Sequence, residues 1–152
     1  MSDELPPHLY RDARGVVRDR VIEQLAGSLE RGEALGAEAM AQLKRLAAMF
    51  GDAPALPADV LSNPAAALDW AGGIGMVNFT RLRPELHKTQ ATRIASLGLR
   101  YVCYLETTRR SAPAFAPTIP HAVVGAVVQT MREQAATQNN LLRPAGTAGR
   151  PN

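Results

Sequence analysis

Residues 81–110 read RLRPELHKTQATRIASLGLRYVCYLETTRR, and how this run folds decides the class of the protein. Its apolar residues Ile94, Leu97, Tyr101 and Tyr104 recur at a 3-4-3 spacing, which places them on one stripe of a helix, widened by Val102 and Leu105. Pro84 suits a first helical turn, and Glu85 favours the positive N-terminal end. Arg109 and Arg110 suit the negative C-terminal end, and Pro113 and Pro117 then forbid continuation. The spacing therefore predicts one long amphipathic helix, with Arg93 and Arg100, seven residues apart, sharing its outer face with Thr89 and Ser96. Gly98 falls mid-helix, where it costs about 1 kcal/mol against alanine. It marks either close approach by a neighbouring helix or a kink.

Working toward the N-terminus, AGGIGMVNFTRLR over residues 71–83 is the least helical part of the chain. Gly72, Gly73 and Gly75 do not match GxGxxG and precede no Lys-Ser or Lys-Thr pair, so a phosphate loop is not supported. Val77 and Phe79 alternate with Asn78 and Thr80, the pattern of a short extended segment in a glycine-rich crossover. A first helix is expected from about residue 8 or 9 to Arg31, with Val17, Val21, Leu25 and Leu29 as its stripe, Ile22 beside it and Gly32 past its end. Arg11, Arg14 and Arg18 form a ridge on it, but Asp12, Asp19 and Glu23 interleave, as on a mixed solvent face. A second helix is expected over 37–50, antiparallel to the first, with Met40, Leu43, Ala47 and Phe50 inward. Residues 52–63 form a loop, and Asn63 caps a short helix from Pro64 to Trp70.

Toward the C-terminus, SAPAFAPTIP over 111–120 contains three prolines and reads as a linker. A last helix follows from Pro120 to about Thr137, with Val124, Val127, Val128, Met131 and Ala135 inward. The expected architecture is thus all-α: an irregular bundle of four to five helices, with extended N- and C-terminal arms and a Gly-rich crossover. Residues 1–137 make a single helical domain, with an acidic half 1–80 and a basic half 81–137. Residues 138–152 form an extended C-terminal tail.

At 152 residues the chain is long enough to bury one core without disulfides. Its one cysteine, Cys103, falls between core positions, which suggests packing and a reducing compartment. MSDELPPHLY carries no basic segment leading into an apolar run, and no stretch approaches membrane-spanning length, so a cytoplasmic location without membrane contact is expected. Charge is divided unevenly: residues 1–80 hold 7 basic and 11 acidic side chains, residues 81–152 hold 10 basic and 3 acidic. Such polarity suits either a phosphate-bearing partner, docking between copies, or neutralisation of one half by the other within one fold.

Catalysis needs a positioned acid, base or nucleophile with a partner, and metal sites need clustered ligands. His8, His87 and His121 are scattered, and none stands in HxxxH, HExxH or CxxC spacing. No catalytic residue, metal site or cofactor is assigned, and the chain reads as a non-enzyme. Trp70, the one tryptophan, suits a core or interface anchor. The expected function is a subunit of a larger nucleoprotein or phage-type assembly, in which Arg81, Arg83, Lys88, Arg93, Arg100, Arg109 and Arg110 on a basic helix contact a nucleic-acid backbone without reading sequence. The alternative is a protein–protein assembly module that self-associates by docking its acidic half on the basic half of another copy, with no nucleic acid. Both expect a homo- or hetero-oligomer.

Overall fold

The element around which the others are laid is a helix, α5, spanning Ile119–Leu141. Every residue from Pro120 to Val128 is buried. Val123, Val124, Val127 and Val128 are mediocre helix formers, so burial rather than propensity holds this helix. Thr118 caps its start, accepting the His121 N–H at 3.2 Å. The computed structural model describes residues 7–51, 53–83, 85 and 88–141, with side chains over 15–51, 53–83, 85 and 88–137.

One side of α5 packs on a three-stranded antiparallel sheet, β1 (Met76–Arg81), β2 (Tyr101–Glu106) and β3 (Ala114–Ala116), ordered β1-β2-β3. The register sets Phe79 opposite Cys103, and Cys103 opposite Ala114. Cys103, Leu105, Ala114 and Ala116 join the valines of α5 in the main core. Around the rest of α5 lie α1 (Pro7–Glu30) and α3 (Pro64–Gly72). A further helix, α2 (Ala37–Ala47), adds Leu43 and Ala47 to the same core. On the opposite face of the sheet, Val102 and Phe115 meet Leu82, Leu99 and Ile94 in a small second cluster, where Ile94 comes from α4 (Ala91–Leu97).

The all-α expectation is overturned by this sheet, and the long basic helix over 81–110 does not exist. Among the described residues, that stretch contains the end of β1, a 3-10 turn at Lys88–Gln90, the short α4, then β2 and a turn. The 3-4-3 spacing joins residues of two elements: Ile94 and Leu97 belong to α4, Tyr101 and Tyr104 to β2. Gly98 is neither a kink nor a packing notch. It stops α4 in the left-handed conformation, at φ 64 and ψ 34, with its N–H donating to the Ile94 carbonyl. That geometry favours glycine for want of a Cβ. Beyond it, YVCYLE is rich in aromatic and β-branched residues, which suit a strand. Both faces of β2 are covered, so Val102, Cys103 and Leu105 are all buried and no polar alternation betrays the strand.

The 111–120 linker contains β3, and Arg109 and Arg110 lie in the β2–β3 turn rather than at a helix end. In α1 the inward residues are Ile22, Leu25 and Leu29, whereas Val17 is 58 % exposed. The short helix capped by Asn63 is present, its side chain accepting the Ala65 N–H at 3.1 Å, as are the second helix and the extended segment after the glycines. The last helix runs on to Leu141, past the expected start of the tail. The arms at 1–6 and 142–152 fall outside the described residues.

The turn from α3 into β1 depends on Gly75. Its N–H donates to the Ala71 carbonyl at 3.0 Å, and a Cβ there would sit 2.5 Å from the Glu106 backbone oxygen. Backbone cannot yield as a side-chain tip can. Gly75→Ala should therefore lower stability by about 1–3 kcal/mol, seen as a reduced urea midpoint at unchanged slope. Gly72→Ala, where an added Cβ meets nothing within 4 Å, should leave the midpoint in place.

Candidate nucleic-acid interface

Of the seven basic residues singled out from sequence, Arg81, Arg83 and Arg100 stand at one end of the sheet and Arg109 and Arg110 at the other, while Lys88 and Arg93 belong to the connection between β1 and β2. Arg81 closes β1 opposite Tyr101, and Arg83 follows it, both exposed. Arg100 immediately precedes β2, its carbonyl accepting the Leu82 N–H at 2.7 Å and its own N–H donating to the Ala116 carbonyl at 3.0 Å. These backbone bonds fix Arg100 beside the end of β1 while leaving the residue exposed. Lys88 opens the 3-10 turn between these strands and is also exposed. Arg109 and Arg110 lie in the β2–β3 turn at the other end, a strand length of roughly 20 Å away.

Not all of these cations are uncommitted. Arg93 on α4 forms an ion pair with Glu30 at the end of α1, its Nε donating to Oε1 at 3.1 Å. Arg110 sits 4.0 Å from the Glu106 carboxylate, with its guanidinium carbon 5.2 Å from the centre of the Tyr104 ring. Arg132 of α5 likewise bonds Glu23 of α1 at 2.7 Å. The acidic and basic halves therefore meet partly within one chain. Arg81, Lys88 and Arg100 have no carboxylate partner among the described residues. Arg83 stands among them, though it has an interaction of its own. Apart from Arg93, which Glu30 neutralises, the stretch 81–100 holds four Lys and Arg side chains against one carboxylate, Glu85, so this part of the chain is electropositive.

The clefts offer a different chemistry. One of about 200 Å³ between α1, α5 and β3 is lined by Glu30, Arg93, Gln129 and Arg132, but Glu30, Arg93 and Arg132 are already held in ion pairs. Glu133, beside the β2–β3 turn, accepts the Ala112 N–H at 3.2 Å. Among the described residues no three His, Cys, Asp or Glu side chains gather as a metal site would need. His121 has a structural duty that sequence spacing did not reveal. Its Nε2 lies 2.9 Å from the Glu33 carbonyl, which can only accept, so Nε2 carries the proton and Nδ1 accepts from the Thr118 hydroxyl at 2.6 Å. The imidazole thus ties the start of α5 to the α1–α2 connection. No helix among the described residues is long and apolar enough to cross a membrane.

No family model, curated protein or solved structure matches this chain. The candidate site thus rests on the placement of its own residues. What sequence reasoning missed is that the extended segment beside the basic residues is a sheet edge with apolar side chains outward: Met76 and Phe79 on β1 are 61 % and 40 % exposed. The alternation of VNFTR signalled an extended segment. Only pairing places it at the sheet edge.

Cys103 is fully buried in the main core, and burial pushes its thiol up to about 12. An unfolded thiol loses its proton near 8.5, so the unfolded chain binds fewer protons between these values and stability should fall as pH rises from about 9 toward 12. The thiol should resist an aromatic disulfide reagent at pH 8 and react fully in denaturing urea. Rapid reaction of the native protein would contradict its burial.

Proposed function

We propose that this protein is a non-enzymatic subunit of a nucleoprotein assembly, contacting a nucleic-acid backbone through the basic end of its sheet without reading sequence. The observation that carries this reading is the exposure of Arg81 and Arg100 together at one end of the sheet, and of Lys88 in the connection between their strands, with no carboxylate partner among the described residues. Arg83 extends the patch. Phosphate neutralisation by such cations releases condensed counterions, which supplies affinity independent of base identity. The interface proposed here is smaller than the seven residues expected from sequence. Arg93 and Arg110 are engaged by Glu30 and Glu106, and Arg109 stands at the far end of the sheet. Docking of the acidic half of one copy on the basic half of another is less well supported, because Glu30 and Glu23 already bind Arg93 and Arg132 of their own chain.

Binding to generic single- and double-stranded oligonucleotides should weaken steeply with salt. About three to four phosphate contacts give a slope of roughly −3 for log affinity against log salt. Arg81→Ala, Lys88→Ala and Arg100→Ala should each flatten that slope by about one contact and weaken all sequences alike. Arg93→Ala and Arg110→Ala should change it little. A slope near zero, or no affinity at low salt, rules the reading out.

A further inference from the structure

Among the described residues, the first strand of the sheet has a neighbour on one flank only. β1 pairs only with β2, and five of its six residues are exposed, Val77 being half-buried. It holds two of the four large apolar residues that are exposed among the described residues, Met76 and Phe79. Natural sheets blunt such edges with lysine, proline or a bulge. Residues 76–80, MVNFT, have no lysine or proline, and their register with β2 is unbroken.

The direction of the free backbone groups follows from the other flank of the sheet. Ser111 N–H donates to the Leu105 carbonyl at 2.8 Å, and Leu105 N–H donates to the Ser111 hydroxyl at 2.9 Å. Leu105 thus turns both its groups toward β3. These groups alternate flank along a strand, so Val102, Tyr104 and Glu106 turn theirs to β1, where they face Thr80, Asn78 and Met76. Val77, Phe79 and Arg81 are left presenting N–H and C=O to the open side.

We infer that a second copy of this chain covers that edge, with β1 pairing antiparallel to the partner copy's β1 about a two-fold axis at Phe79. The three outward-facing residues are spaced symmetrically about Phe79, so each N–H meets a carbonyl. Charge selects this arrangement. Parallel pairing would stack Arg81 on the partner's Arg81, which cross-strand repulsion disfavours, as would an antiparallel pair centred on Arg81. Centred on Phe79, Arg81 lies across from the partner's Val77, and Asn78 across from the partner's Thr80. The strand ends agree with this register. Gly75 N–H is already bonded to Ala71, whereas Leu82 continues the strand through its bond to Arg100. Pairing therefore gains more at the Arg81 side than at the Gly75 side.

A contact confined to two six-residue strands falls below the roughly 1,200 Å² at which stable specific interfaces begin, so the dimer is weak and reversible. It makes one continuous six-stranded sheet, with the two basic patches at opposite ends. This pairing needs no nucleic acid and stands or falls separately from the phosphate reading. Nuclease-treated, high-salt-washed full-length protein should pass from monomer to dimer with rising concentration in sedimentation equilibrium. Phe79→Lys and Phe79→Glu each oppose like charges across the two-fold axis and should remain monomeric, while an equimolar mixture of the two should dimerise. A wild-type protein that stays monomeric at the highest concentrations, a single-sign variant that dimerises like wild type, or a mixture that fails to associate would each overturn the proposal. Should either Phe79 variant lose its native circular dichroism, two exposed double variants decide instead. Asn78→Lys with Thr80→Lys should abolish the dimer, and Asn78→Asp with Thr80→Lys should retain it; equal behaviour of the two contradicts the pairing.

Discussion

Burial of the first half of α5, Pro120 to Val128, on all sides is the constraint from which the remaining structure follows. A helix carrying four valines within six residues gains little from intrinsic preference, yet Val123, Val124, Val127 and Val128 are fully buried. Something must cover them from more than one direction. The sheet does so on one side, and α1 and α3 do so on the others. The close approach is visible at Gly125, where an added Cβ would come within 3.2 Å of the Ala114 Cβ. Once the sheet is committed to α5 by Cys103, Leu105, Ala114 and Ala116, the ends of its strands are fixed, and with them the basic residues that flank them.

That placement sorts cations of identical chemistry into different roles. Arg93 and Arg132 meet Glu30 and Glu23 of α1, joining the acidic and basic parts of the chain across the surface. These pairs are at least partly exposed, so they contribute little to stability, but they remove two cations from competition for an external anion. Arg81, Lys88 and Arg100, at the strand ends and in the 3-10 turn, meet no carboxylate among the described residues. The division arises from topology. Spacing along the chain would have grouped Arg93 with Arg100, and Arg109 with Arg110.

The helices were legible where one element supplied its own signal. Asn63 before Pro64 marked a cap, the apolar residues of 37–50 marked a helix, and the alternation of Val77 and Phe79 marked an extended run. Reading failed where two faces of a strand are buried. Tyr101–Glu106 presents apolar residues on both sides, so its pattern looks the same as part of a helical stripe once Ile94 and Leu97 are placed before it. Gly98 was the discriminating residue, since a stop in the left-handed region divides that stripe in two, but a glycine alone does not announce its φ. Ala114–Ala116 was hidden by flanking prolines, and its strand identity depends on a partner in β2 that local sequence does not name. The basic residues themselves were found from charge. Which of them remain uncommitted depends on contacts with residues such as Glu30, 63 positions away from Arg93.

The proposed binding of a polyanion at the end of the sheet bearing Arg81 and Arg100 has a direct readout in solution. Titrating isotopically labelled protein with a generic oligonucleotide at low salt, while following backbone amide shifts, tests it residue by residue. Shifts should concentrate at 81–83, 88 and 99–101, with Arg93 and Arg110 nearly unmoved. Shifts confined to other surfaces, or none at any oligonucleotide concentration, would contradict it.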